Sequence, residues 1–222
     1  MKHGFEPLTA TRGLTPWRLI PTGVIPRGVI LGGLIAGGLA MPAFAGLDAG
    51  LAAYDRGDYT TAYRELAPAA AGGAPLAQYN LARMYFTGEG VSRDSGEGLK
   101  WLRKAAMAGV GLAQYQLGAR HEWGIDVAHD YGEAARWYRM AADRGVPVAQ
   151  FRLGLLYMNG LGVTRDVVAA HLWLNLAASR LPPGEPRIAV AQLREQIAAN
   201  MTATQVAEAQ TAARNWTPIE GR

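Results

Sequence analysis

The 222-residue chain contains no cysteine. Disulfide bonds, cysteine-ligated metals, a thiol nucleophile and a lipid-modified N-terminal cysteine are therefore excluded, and the fold depends on packing alone. Phenylalanine is also scarce, with four residues, whereas half of all residues are hydrophobic and 28 are glycine. The chain can bury a core, and its many small side chains suit closely packed helices.

A strong basic patch is missing as well. The net charge is +4, of which residues 1–45 carry +3 through four basic residues and one acidic residue. Residues 46–222 are left with a net charge of +1 and no basic cluster. Nucleic-acid binding relies on such clusters, so we expect no nucleic-acid partner.

Residues 1–45 have the features of a secretory signal peptide. The uncharged stretch Gly28–Leu47 contains the small-residue pattern Ala-Phe-Ala at residues 43–45. Signal peptidase requires small side chains next to the bond that it cuts, so cleavage is predicted between Ala45 and Gly46. The mature protein would then be periplasmic or secreted from a bacterium.

Two alternatives remain open for this segment. Twenty uncharged residues are just enough to span a bilayer, so an uncleaved segment would tether the protein to the membrane. Its glycines and Pro42 make the stretch a poor helix, which favours cleavage. The region before the apolar stretch is long for a signal peptide, and a start near Val24 would leave one of ordinary length.

The strongest pattern in the chain is an internal repeat of 36 residues. Three successive copies cover residues 74–109, 110–145 and 146–181, and a period of this length is typical of helical solenoids. Nine columns are identical in all three copies and begin at Ala77, Gln78, Leu81, Gly88, Val91, Asp94, Trp101, Ala105 and Ala106.

Each copy is predicted to form an antiparallel helical hairpin. The first helix carries alanine and leucine four residues apart, on one face. It ends at Gly88, Gly124 and Gly160, because a left-handed residue is favoured just after a helix. The second helix places a tryptophan in the gap between hairpins, at Trp101, Trp137 and Trp173. A single hairpin cannot bury its apolar face, so the copies must stack.

Acidic residues mark the start of each second helix. Asp94, Asp130 and Asp166 occupy the N-cap position, where a side-chain oxygen accepts from a free backbone amide. Glu97 and Glu133 lie three residues further on, which predicts capping boxes in the first two copies.

Shorter helical segments flank the array. Residues 57–73 match the second half of the repeat and residues 47–56 supply a shortened first helix, so residues 46–73 are predicted to be a degenerate N-terminal capping unit. After a proline-rich break, residues 187–215 are predicted to form a two-helix C-terminal cap. Residues 216–222 are predicted to be a disordered tail.

The repeated pattern resembles a known family. It reads Ala-x-x-x-Leu-Gly-x-x-Tyr, Gly-x-Gly-Val, Asp and Trp-x-x-x-Ala-Ala, and is clearest at residues 149–157, 160–163, Asp166 and 173–178. This is similar to the Sel1-like repeat, a relative of the tetratricopeptide repeat. The resemblance implies an all-α fold, a right-handed α-solenoid of stacked antiparallel helical hairpins. It also implies a non-enzymatic scaffold for protein–protein interaction, and many bacterial members of the family are exported.

The middle copy departs from this pattern. His121 replaces the tyrosine, and Asp126 replaces the second loop glycine. Aspartate tolerates the left-handed conformation better than most residues, so the loop is predicted to survive.

Catalytic constellations are not evident. His121-Glu122 begins like a zinc-protease motif, but Ile125 stands where the second histidine is required. His129 and His171 have no evident nucleophile or carboxylate partner. The recurrence of the tryptophans favours packing over ligand stacking. We therefore expect no catalytic residue, no metal site and no cofactor.

Binding residues are expected on the first helices, which line the concave side of a solenoid, at positions where the copies differ. Two rows satisfy this condition: Asn80, Gln116 and Arg152, and one turn further along Met84, Arg120 and Leu156. The expected partner is an unidentified protein or peptide. Two other functions stay open. One is an envelope hydrolase related to the enzymatic, cysteine-rich members of the family, with a pocket around His121 and Glu122. The other is a membrane-tethered scaffold.

Overall fold

The computed structural model describes residues 46–219, which form ten α-helices and no β-strand. The helices are α1 (Leu47–Asp55), α2 (Tyr59–Ala71), α3 (Pro75–Thr87), α4 (Ser95–Met107), α5 (Gly111–Trp123), α6 (Tyr131–Asp143), α7 (Pro147–Asn159), α8 (Val167–Arg180), α9 (Glu185–Ala198) and α10 (Ala203–Asn215). The predicted signal segment lies outside the described residues. None of the ten helices described combines the length and the hydrophobicity that a membrane-spanning helix needs.

The helices form four stacked hairpins. The pairs α1–α2, α3–α4, α5–α6 and α7–α8 pack internally, and each second helix also packs on the first helix of the next hairpin. The two remaining helices, α9 and α10, both lie against α8. The architecture is the predicted solenoid of helical hairpins.

Local chemistry sets the ends of the repeat helices. Gly88, Gly124 and Gly160 follow α3, α5 and α7 with φ of 80°, 63° and 67°, the left-handed region expected of a terminating glycine. The side chains of the N-cap aspartates accept from the amides of the first turn in α4, α6 and α8.

Only half of each capping box predicted in the first two copies is present. The N-cap aspartate accepts from the first turn, but the glutamate side chain does not bond back to the N-cap amide. Glu97 and Glu133 pair with Lys100 and Arg136. The N-cap amides donate elsewhere, to the backbone carbonyl oxygens of residues 85, 121 and 157 at 2.9–3.0 Å. This bond joins the two helices of one hairpin, and a side-chain reach-back is therefore unnecessary.

The second loop glycine allows consecutive hairpins to touch. A Cβ on Gly162, whose φ is 66°, would lie 2.2 Å from the Tyr131 carbonyl, and one on Gly90 would lie 2.3 Å from the Tyr59 carbonyl. Asp126 occupies the same column in the middle repeat with a φ of 58°. The prediction that this aspartate adopts the left-handed conformation is confirmed.

The repeated glutamine connects neighbouring hairpins. The Nε2 atoms of Gln78, Gln114 and Gln150 donate to the carbonyl oxygens of residues 70, 106 and 142 at 3.2, 3.0 and 3.1 Å. All three side chains are buried, and their Oε1 atoms have no hydrogen-bond partner among residues 46–219. Each bond ties a first helix to the last turn of the preceding second helix.

Residues 216–219, the described part of the predicted tail, are packed against the array. The Trp216 and Trp173 rings meet edge to face at 6.5 Å, and the Arg180 guanidinium lies 4.4 Å from the Trp216 ring. The Ile219 amide donates to the Asp143 carbonyl at 2.7 Å. The segment thereby covers the junction of α6 and α7.

Candidate functional site

The first of the two predicted rows is engaged in contacts within the chain. Gln116 donates to the Tyr79 hydroxyl, one hairpin back, at 3.0 Å, and Asn80 donates to the Leu76 carbonyl at 2.8 Å. Arg152 lies 3.6 Å from a Glu122 carboxylate oxygen. Asn80 and Arg152 are buried, and Gln116 is half-buried.

The second row lies deeper still. Met84 and Leu156 are buried in the hydrophobic core between the helices, and Arg120 is only 4% exposed. Both rows follow the first helices, as predicted, but five of the six side chains are buried beneath the surface rather than presented on it. A binding role for these six residues stays a prediction.

An ion pair explains the buried arginine of the middle repeat. The Arg120 guanidinium pairs with the Asp126 carboxylate and lies 3.5 Å from the centre of the Phe86 ring. Burial lowers the pKa of Arg120, and the Asp126 carboxylate opposes that shift. The other repeats have Met84 and Leu156 at the arginine position and glycine at the aspartate position.

A second polar network joins three helices. The Tyr138 hydroxyl of α6 donates to Glu122 of α5 at 2.5 Å, and Arg152 of α7 approaches the same carboxylate. Burial, followed by the Glu122 charge, raises the pKa of Tyr138 well above its usual value. Burial also raises the pKa of the neighbouring Tyr115. These side chains contact one another, so the network joins the α5–α6 hairpin to the first helix of the next hairpin.

Three large apolar side chains are exposed on α3 and α5. Leu76 of α3 and Leu112 of α5 occupy the same repeat column and are 45% and 37% exposed. Trp123, at the end of α5, is 46% exposed and its ring lies 5.6 Å from the Arg152 guanidinium. Arg83 of α3 is half-buried. We call the surface formed by Leu76, Arg83, Leu112 and Trp123 the first-helix face.

His121, His129 and His171 differ in their surroundings. His121 occupies the tyrosine position of its repeat, and its buried Nδ1 has no hydrogen-bond partner in the described part of the chain. His129 stacks edge-on against Tyr131, whereas burial lowers the pKa of His171 on α8. Within residues 46–219, no group of three or more histidine, aspartate or glutamate side chains is arranged to hold a metal ion.

One open cleft lies apart from the first-helix face. Its volume is about 620 Å³, and it is lined by Tyr157, residues 163–168 and Gln205, where the loop after α7 meets α10. Asp166, one of its lining residues, already accepts from two amides at the start of α8.

Sequence comparison of the copies located the unusual hairpin but not the exposed residues. The signal available in the sequence was that Arg120 and Asp126 depart from the repeat together. Leu76 and Leu112 gave no signal, because a leucine in a helix is usually buried.

The comparisons agree with the architecture. The Sel1 repeat family model matches residues 75–110, 111–146 and 147–180. A crystal structure of a Sel1 repeat protein from Oxalobacter formigenes is similar at 36% identity and a TM-score of 0.55, covering 58% of this chain and 96% of that one. The structure of c5321, a protective antigen of uropathogenic Escherichia coli with an SLR fold, is similar at 26% identity and a TM-score of 0.53. That match covers 78% of this chain and 45% of the antigen. A search of curated proteins gives no match.

Proposed function

Because the chain belongs to the Sel1 repeat family, we propose that it is a non-enzymatic scaffold that binds a protein or peptide on the first-helix face. Sel1 repeat proteins typically serve as protein-interaction scaffolds. The observation that carries the proposal is the exposure of Leu76, Leu112 and Trp123 on consecutive first helices. Leu76 and Leu112 occupy the same repeat column, and Trp123 follows Leu112 by about three helical turns, so the three residues share one side. Burying each such side chain in an interface contributes about 1.5–3 kcal/mol.

The rigidity of the face supports a binding role. Leu112 and Trp123 are carried by α5, which the Glu122 network joins to α6 and α7. A surface held by such contacts loses little conformational entropy when a partner binds. The face is therefore preorganised around the middle repeat.

Binding is tested by cross-linking the affinity-tagged chain in the envelope fraction of its own cells. The double variant Leu76→Asp/Leu112→Asp places two charges on the face and is expected to lose the captured partner. Met107→Asp/Met140→Asp is the matched control, because these methionines are also exposed but lie on second helices. Equal capture by both double variants would refute a role for the first-helix face.

We further propose export, with cleavage between Ala45 and Gly46. Supporting this, Gly46 already belongs to the fold: its carbonyl accepts from the Gly50 amide at 2.8 Å and opens α1. Intact-mass measurement of the protein recovered from cells tests the proposal. A mature N-terminus at Gly46 is expected, whereas an uncleaved mass together with membrane fractionation would indicate the tethered scaffold instead.

A further inference from the structure

Within the part of the chain that the structure describes, Arg83 is held by aromatic rings rather than by an ion pair. Its guanidinium carbon lies 4.8 Å from the Tyr54 ring centre and 6.0 Å from the Tyr79 ring centre. Stacking between rings from α1 and α3 restricts the side chain and attracts its charge. Among residues 46–219, however, no carboxylate forms an ion pair with it. The nearby Glu89 instead accepts from the Tyr54 hydroxyl at 3.3 Å.

Arginines on the next two first helices, α5 and α7, do form ion pairs. Arg120 and Arg152 are buried, and each is paired with a carboxylate of the chain. The column of Arg83 holds Ala119 and Leu155 in the next two repeats, so the hairpin fold does not require a cation there. Within residues 46–219, Arg83 is therefore positioned by two aromatic rings and takes part in no ion pair of the chain.

The surroundings of Arg83 determine which ligand fits. A guanidinium binds a carboxylate through two parallel hydrogen bonds. Leu76 lies seven residues earlier on the same side of α3, about 10 Å along the axis. Helical side chains lean towards the N-terminus, and the Arg83 guanidinium lies 6.0 Å from the Tyr79 ring centre, so it is displaced from its own Cα towards Leu76. In an extended peptide, residues two apart face the same side and are separated by about 7 Å.

We propose that Arg83 and Leu76 form a subsite for a peptide segment that carries a carboxylate two residues from an apolar side chain. The proposal rests on the proposed function and adds the chemical class of the partner. The carboxylate binds Arg83, and the apolar side chain covers Leu76.

The test uses two capped tripeptides, acetyl-Leu-Ala-Glu-amide and acetyl-Glu-Ala-Leu-amide, titrated to millimolar concentration into the isotopically labelled protein. NMR follows the Arg83 Nε–H and the Leu76 methyl groups. We expect one of the two peptides to shift both signals saturably, and its glutamine counterpart to bind at least about tenfold more weakly.

Variants complete the experiment. Arg83→Gln is expected to weaken binding by about tenfold or more, and Arg83→Lys by less, because lysine keeps the charge but loses the fork. Arg214→Gln, at an exposed arginine of α10, is the control and should leave the affinity unchanged. Circular dichroism verifies that each variant is folded.

Three results would overturn the subsite: no saturable shift at Arg83, equal binding of the glutamine peptides, or full affinity in folded Arg83→Gln. The cross-linking experiment separates this failure from that of the proposed function. If Arg83→Gln still captures the partner while Leu76→Asp/Leu112→Asp does not, the scaffold stands and only the carboxylate subsite falls.

Discussion

Arg120 and Asp126 both depart from the repeat pattern, and they form an ion pair with each other. The arginine is buried, whereas the aspartate side chain is partly exposed at the turn after α5. The middle repeat therefore contains two substitutions that compensate each other. Removing the anion leaves a desolvated cation, but removing the cation leaves a carboxylate that water can still reach.

This asymmetry predicts the outcome of a double-mutant cycle. Asp126→Gly is expected to lower the free energy of unfolding by about 2 kcal/mol, and Arg120→Met by less than about 1 kcal/mol. The double variant recreates the methionine and glycine of the first repeat and should approach the original stability. Urea unfolding measures all four proteins. Additive losses in the double variant would show that the two residues are not coupled.

Alanine substitutions at Gly162 and Gly57 distinguish the cost of backbone strain from the cost of steric overlap. Both have a positive φ, of 66° and 78°, but a Cβ on Gly162 would overlap the Tyr131 backbone, whereas one on Gly57 would meet nothing within 4 Å. Gly57→Ala should cost about 1–2 kcal/mol through the left-handed conformation alone. Gly162→Ala should cost at least about 2 kcal/mol more, because the hairpins must move apart. Equal losses in thermal unfolding would contradict the close approach.

The buried glutamine bond between hairpins is testable at Gln114. Gln114→Met keeps the approximate volume but removes the hydrogen bond to the Ala106 carbonyl. We expect the free energy of unfolding to fall by about 1 kcal/mol, the usual net contribution of such a bond. The exposed Gln192 of α9 provides the control substitution Gln192→Met. Unchanged or increased stability of Gln114→Met would mean that the unpaired Oε1 offsets the bond.

The raised tyrosine pKa values predict sensitivity to alkali. The pKa of Tyr54 is raised to about 12, mainly by burial, and that of Tyr138 is raised well above its usual value. A raised folded-state pKa contributes stability that is complete below the unfolded pKa of about 10 and is lost as the pH rises towards the folded value. The urea midpoint should therefore fall between pH 10 and 12.

Tyr138→Phe is expected to reduce that fall, at the cost of the bond to Glu122, and Tyr131→Phe serves as the control. Measuring the urea midpoint from pH 8 to 12 compares the three proteins. A pH dependence of Tyr138→Phe as steep as that of the original chain would exclude Tyr138 as a contributor.

The C-terminal segment should stabilise the last hairpin. Trp216→Ala removes the edge-to-face contact with Trp173 and the ring beneath Arg180. A loss of about 1–3 kcal/mol is expected, since aromatic and cation–π contacts add to the burial of the ring. Hydrogen exchange should quicken in α8 and remain unchanged in α3. Unaltered exchange in α8 would contradict the observed docking.

The order and ends of the hairpins follow from the sequence by itself. Gly88 and Asp94 act through chemistry that involves residues within about four positions, so a single copy contains the information and three copies repeat it. The same locality made Asp126 interpretable, because its left-handed conformation depends on its own side chain. These rules also placed the two variable rows on the first helices.

Only the tertiary structure decided which of those residues reach solvent. Whether Arg120 is exposed depends on Phe86 and Asp126 around it, and whether Gln114 can bond depends on a carbonyl from the preceding helix. Trp216 became ordered because Trp173 and Arg180 lie beside it after stacking. Burial is a property of neighbours brought together by stacking, and a repeat period predicts that hairpins stack without specifying which variable side chains the contact covers.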